Sequence, residues 1–244
     1  MNFKKLVMGG VAAAVLASSA VANAGEFEAN VALSTDYIFR GFSQTGNDPA
    51  ISGGFDYSFE NGFYAGVWAS NVDFGPASDD NGNLLSNNTT STEVDLYGGY
   101  ATEISEGVEI DLGYIYYAYP GDSGSLNYSE FTAGISFNDL GFGLVYSPDY
   151  FGSDEDAIVF NVDYSVGIAE NVSLDLHSGY SVVSGDDDFF AQGVDSYLDY
   201  SIGISTAAAG LDLSLTFYDT DISSSVAEDI GAEDRVVFSI GKSF

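Results

Sequence analysis

Carboxylates dominate the chemistry this sequence can do, and they recur on a regular beat. Glu26, Glu28, Asp36, Asp56, Glu93, Asp95, Glu103, Glu109, Asp111, Glu130, Asp163, Asp175, Asp199 and Asp212 all fall on the polar positions of segments that alternate polar with apolar residues. Alternate positions of a strand share one face. Arranged around a water-filled bore, such carboxylates concentrate cations and exclude anions. We take Glu28, Asp36, Asp56, Asp95, Asp111, Asp163, Asp175, Asp199 and Asp212 as candidate pore-lining acids. The plainer alternative makes them solvated inner-wall residues of a barrel that does not conduct.

The cations are few enough to follow one by one. The chain holds 37 Asp and Glu against 5 Lys and Arg. Two of those, Lys4 and Lys5, precede an apolar Leu6–Ala17 run and the small-x-small sequence Ala22-Asn23-Ala24, the order of parts in a secretory signal. We read 1–24 as a cleaved signal peptide and 25–244 as one exported domain. Only Arg40, Arg235 and Lys242 then remain as cations, for a net charge of −34. Such a chain repels nucleic acid. Its 17 Tyr and 18 Phe argue for an ordered fold despite the acidity.

Arg40 closes the first alternating segment and Arg235 opens the last. Closure of a sheet into a barrel makes those segments neighbours, so the two arginines form a candidate basic patch at the outer mouth. Such a patch suits an anionic group of a solute or of lipopolysaccharide. The competing reading is salt bridges to Asp36, Glu233 or Asp234.

His177 is the single histidine, followed by Ser178. Adjacent strand residues face opposite sides, so Ser178 cannot serve His177 as a nucleophile. The chain has no Cys, which removes disulfides, thiol catalysis and thiolate metal sites. The acidic runs at 79–83, 154–156, 186–188 and 219–221 lack the spacing of a calcium loop. No residues are assigned as catalytic or metal-binding, no cofactor is called for, and no enzymatic activity is expected.

These side chains need strands to position them. Twelve segments carry the period-2 pattern: 26–40, 50–60, 63–73, 92–104, 107–119, 128–137, 140–150, 157–168, 171–183, 195–205, 210–219 and 235–244. In the first, Phe27, Ala29, Val31, Leu33, Thr35, Tyr37 and Phe39 alternate with Glu26, Glu28, Asn30, Ala32, Ser34, Asp36 and Arg40. Short turns (Asn61-Gly62, Ser105-Glu106-Gly107, Asn138-Asp139, Ala169-Glu170-Asn171, Ala207-Ala208-Ala209) alternate with long polar connections. Short periplasmic turns and longer extracellular loops organise outer-membrane barrels. The expected fold is therefore all-β, a transmembrane antiparallel β-barrel of about twelve strands.

A soluble sandwich would also alternate, but three features favour the barrel. One face is nearly free of charge in every segment. Aromatics gather at segment ends, among them Tyr37, Phe39, Phe59, Phe63, Phe137 and Phe142, as interfacial girdles do. The final segment ends on Phe244, a terminal aromatic that resembles the signal read by the barrel-assembly machinery. The third segment stays open: a two-residue Asn61-Gly62 turn sends Gly66, Trp68 and Ser70 toward lipid, whereas an odd-length turn sends Phe63, Ala65, Val67 and Ala69 there. Twelve strands leave a narrow bore, and the longest loops, 74–91 and 220–234, are the candidates to plug it.

Ser34-Thr35-Asp36-Tyr37-Ile38-Phe39-Arg40-Gly41, Gly53-Gly54-Phe55-Asp56-Tyr57, the stretch from Gly62 to Phe74, Glu93-Val94-Asp95-Leu96-Tyr97-Gly98-Gly99-Tyr100 and Tyr117-Ala118-Tyr119-Pro120-Gly121 resemble the TorF family of porin-like proteins, a Gcw-type bacterial family. The resemblance implies an outer-membrane location and a pore-like role, and brings no catalytic residues. Residues and resemblance together suggest passive, cation-favouring diffusion of ions or small cationic or neutral solutes. The expected partners are outer-membrane lipid, lipopolysaccharide and the barrel-assembly machinery. The rival is a non-conducting surface barrel with an adhesive, receptor or envelope-structural role.

Overall fold

The computed structural model describes residues 25–74, 77–78, 84–86, 90–121, 126–184, 189–190 and 194–244. The signal-peptide reading of 1–24 and the acidic runs at 79–83 and 186–188 lie outside the described residues. Twelve antiparallel strands close into one barrel. They are β1 (Glu26–Ser34), β2 (Ala50–Ser58), β3 (Phe63–Asn71), β4 (Thr92–Ser105), β5 (Val108–Ala118), β6 (Tyr128–Phe137), β7 (Leu140–Ser147), β8 (Ala157–Ala169), β9 (Val172–Val183), β10 (Ser196–Ala208), β11 (Leu211–Thr220) and β12 (Arg235–Ser243). Each pairs with its neighbours in sequence, and β1 meets β12 to close the ring, with Leu33 opposite both Ile51 and Ile240. Closure leaves no strand edge unpaired, which a membrane requires of any sheet that crosses it.

The period-2 pattern decides which way each side chain points. Phe27, Leu33, Phe63, Leu112, Phe131, Phe160 and Ile202 are 51–62 % exposed and all face outward. In water such an apolar band would be an aggregation hazard; in a bilayer it is the surface that lipid solvates. The intervening residues face the bore.

The third strand is settled by its turn. The Phe59 N–H donates to the Phe63 carbonyl at 2.8 Å, which encloses three residues, Glu60-Asn61-Gly62. Gly62 takes the left-handed conformation there (φ 89°). An odd turn sends Phe63 and Val67 to lipid and turns Trp68 into the bore, opposite Asp95.

The first segment departs from its sequence pattern. Strand β1 ends at Ser34, and residues 36–45 turn inward instead of continuing the wall to Arg40. Tyr37 and Phe39, expected among the girdle aromatics, are therefore buried inside the barrel at 7 % and 6 % exposure. Alternation persisted past the strand because the inward segment is itself a small hairpin, Ile38–Phe39 against Phe42–Ser43.

The two faces differ in what they tolerate. A charge placed halfway along β8 at the lipid-facing Val162 (Val162→Arg) is expected to cost about 2–4 kcal/mol, and the inward Asn161→Arg less. Urea unfolding in lipid vesicles reads both.

Candidate functional site: the bore and its plug

The hairpin after β1 lies across the bore. Its turn is Arg40-Gly41, both with positive φ (50° and 85°), the geometry of a two-residue hairpin turn. Glycine is required at 41 for a second reason: a Cβ there would sit 2.5 Å from the Thr220 methyl and 3.1 Å from the Asp199 Cβ. The tip is thus pressed against the β10–β11 wall, and the Tyr197 hydroxyl on β10 donates to the Arg40 carbonyl at 2.8 Å.

From that tip the Arg40 side chain reaches β6. Its two terminal nitrogens donate to the two Glu130 oxygens at 2.8 and 2.9 Å, a bidentate pair with both side chains almost wholly out of water. The Tyr117 hydroxyl donates to the same carboxylate at 3.0 Å. Burial works against the guanidinium charge, but the Glu130 carboxylate beside it more than offsets that, so Arg40 is held charged well above its ordinary range. Two further clamps fix the loop. Tyr37 donates to Glu93 on β4 at 2.8 Å, and Asp36 accepts from Ser43 and Thr45 at 2.8 Å each while facing Arg235 at 2.8 Å.

Aromatic rings fill the space between these polar clamps. Tyr37 stands edge-on to Trp68 at 5.3 Å, Phe39 to Tyr117 at 6.0 Å, and Phe42 to Tyr197 at 5.1 Å. Tyr128 stacks on Tyr117 at 4.4 Å, and Tyr150 and Phe151, in a short 3-10 turn (Tyr150–Gly152), close over it. The loop-side half of the bore is consequently dry: Glu130 and Asp95 are 0 % exposed.

The candidate acids separate into two groups. Glu28, Asp56, Asp95, Asp111, Asp163, Asp175, Asp199 and Asp212 lie on inward positions of barrel strands, whereas Asp36 sits in the plug. Several of the wall acids accept from neighbouring hydroxyls. Asp56 is bonded by Tyr97, Asp111 by Tyr64 at 3.1 Å, and Asp175 by Ser165 and Ser205 at 2.6 Å each. His177 bridges Asp163 (Nδ1, 2.7 Å) and Asp199 (Nε2, 3.1 Å) across three adjacent strands. Both ring nitrogens are engaged, and Ser178 faces the other way.

Arg40 and Arg235 do not share one basic patch. Arg40 crosses to Glu130, while Arg235 is held by Asp36, Glu233 and Asn47. Each found its own carboxylate because the bore offers so many. The alternative of pairing to Asp36 and Glu233 describes Arg235 correctly, but Arg40's partner lies 90 residues away. The first loop lies in the bore, and of the two loops favoured by length one packs against it. Much of 74–91 lies outside the described residues, and 220–234 forms a short helix (Ser224–Ile230) whose Ala227 packs in one buried cluster with Ile222, Ala232 and Tyr197, against Phe42 of the plug. At the opposite end, Phe244 pairs with Ala29 through backbone hydrogen bonds of 2.9 and 3.3 Å beside the β1–β12 seam.

Fold and bore together define a transmembrane β-barrel whose own first loop lies across its interior. The chain belongs to the Gcw_chp family, bacterial proteins of unknown function, whose model matches residues 18–244. Curated proteins give no match. Among solved structures it is similar to the NanC porin (9% identity, TM-score 0.53, covering 88% of this chain and 98% of that one). It is likewise similar to the KdgM porin (10% identity, TM-score 0.52, 89% and 98%). An outer membrane channel from Pseudomonas putida F1 also matches (9% identity, TM-score 0.50, 91% and 97%). At these identities the likeness is one of fold.

Removing one side of the buried pair should release the plug. Glu130→Gln leaves a buried guanidinium without its counter-charge, at a cost of about 3–5 kcal/mol that the loop escapes by moving to water. Limited proteolysis of folded protein in vesicles at about pH 5, where the native plug is held, is expected to cut within 36–45 in this variant and to spare those residues in the native chain.

Proposed function

We propose that the protein is a porin-like channel of the outer membrane, of the TorF type, passing cations and small neutral solutes by passive diffusion. The observation that carries this reading is the acidic half of the bore below the plug, where Glu28, Asp56, Asp163, Asp175 and Asp212 sit on inward strand positions and stay partly exposed. Fixed carboxylates in a narrow aqueous vestibule raise the local cation concentration and oppose anions. The plug sets the constriction above it. In this reading residues 1–24 are a cleaved export signal, Phe244 is the mark read by the barrel-assembly machinery, and lipid and lipopolysaccharide surround the apolar band. The bound chemistry is that of transport, with no catalytic step.

One observation favours a second reading. The loop-side half of the bore is dry, with Asp95 and Glu130 at 0 % exposure, as in a non-conducting barrel with a surface role. Purified protein in a planar bilayer under a KCl gradient separates the two. The channel reading predicts discrete conductance with a cation-selective reversal potential, and a reduced preference in the triple variant Glu28→Gln, Asp56→Asn, Asp212→Asn. Absence of conductance at every voltage leaves the second reading; an anion-selective potential contradicts the acidic-vestibule mechanism.

A further inference from the structure

Three carboxylates on inward strand positions, Glu93, Asp95 and Glu130, are buried beneath the plug, and Arg40 pairs with one of them, Glu130. Beyond residue 24 the Lys and Arg are Arg40, Arg235 and Lys242. Arg40 is committed to Glu130 through both terminal nitrogens. Arg235 is held by Asp36 and Glu233, and Lys242 lies over the Phe244 ring, 5.0 Å from its centre. Glu93 accepts from Tyr37. Asp95 is 0 % exposed, and neither of its carboxylate oxygens has a hydrogen-bond partner among the described residues.

An ionised carboxylate stripped of water and left unpaired costs several kcal/mol. Nothing around Asp95 can supply the missing charge. The titratable groups that face it are Glu93 and Tyr97 on its own strand, Tyr117 on β5 with Tyr119 just beyond, Glu130 on β6 and Tyr37 from the plug, all of them acids. Strand β3 contributes Trp68, which carries no charge. For a carboxyl so buried and unpartnered, the uncharged acid is the less costly form. With the loop withdrawn, water enters and the carboxylate ionises at little cost.

We propose that the first loop is an acid-locked plug: a proton on Asp95 keeps it in the bore, and loss of that proton as pH rises sends it out. The direction follows from proton count. The plugged state binds one proton more than the open state, so acid stabilises it, and the balance shifts by up to about tenfold per pH unit. The loop movement stands whether or not the barrel conducts; only its consequence for transport rests on the channel reading.

The chain carries its own reporter. Trp68, the only tryptophan, lies opposite Asp95 and edge-on to Tyr37 of the plug at 5.3 Å. Loss of the plug exposes its ring to water and moves its emission to the red. The test is Trp68 emission of protein folded in vesicles, titrated from about pH 5 to about pH 9, for the native chain, Asp95→Asn and Asp95→Leu. The native emission is expected to shift red with rising pH and to return on acidification. Either variant that folds is expected to keep the blue-shifted emission throughout, because its plug needs no proton. Native emission that does not move overturns the proposal, and so does a red shift that survives in a folded variant. Conductance recorded alongside distinguishes the two ideas: a Trp68 shift without current retains the plug and removes the channel, whereas current without a Trp68 shift does the reverse.

Discussion

The loop-side half of the barrel is organised by one buried ion pair. A guanidinium inside a bore has almost no acceptable neighbours except a carboxylate that meets it in plane, and Glu130 meets Arg40 through both oxygens. Burying the two groups together need add little net stability, because desolvation offsets most of the attraction. What the pair does is make separation costly, since either charge left alone is buried without compensation. The tip of the first loop is thereby tied to β6, five strands away from the β1 wall it leaves, and the loop must span the bore.

Much of the surrounding structure follows from that span. The left-handed Arg40-Gly41 turn directs the side chain across the opening, and the absent Cβ at Gly41 lets the turn press against Thr220. Tyr197 satisfies the turn's carbonyl, Tyr117 a Glu130 oxygen, and Tyr37 engages Glu93. Tyrosine suits these positions because its ring fills apolar space while its hydroxyl supplies the one donor a buried acceptor needs. Below the plug the same residue type serves the wall acids, where Tyr64 and Tyr97 donate to Asp111 and Asp56. The bore is thus graded, from aromatic and dry at the loop end to acidic and mostly half-buried at the turn end.

The wall of the barrel was legible from residue types alone, because lipid outside and polar groups inside impose a period of two that each strand repeats. Strand number, closure and the inward carboxylates follow from that constraint. The interior was less legible, for physical reasons. Residues 35–40 alternate like the strand before them, since a hairpin folded into the bore also has two faces. Glu130 was visible as an inward acid, but nothing local links it to an arginine 90 residues earlier. The signal that existed lay in composition: an arginine beside a glycine, in a chain with so few cations, is an unusual thing to place at a strand end. Length pointed to 220–234, which does pack on Phe42, but not to the shorter first loop, because filling a bore takes apolar rings and one anchored charge more than it takes many residues.

A double-mutant cycle on Arg40→Gln and Glu130→Gln, with unfolding free energy measured in lipid vesicles, tests the central contact directly. Each single variant strands one charge, whereas the double variant strands none. The account predicts that the double variant costs less than the sum of the two singles by about 2 kcal/mol or more. Additivity within about 0.5 kcal/mol would mean that the two residues do not meet, and that the first loop does not lie in the bore.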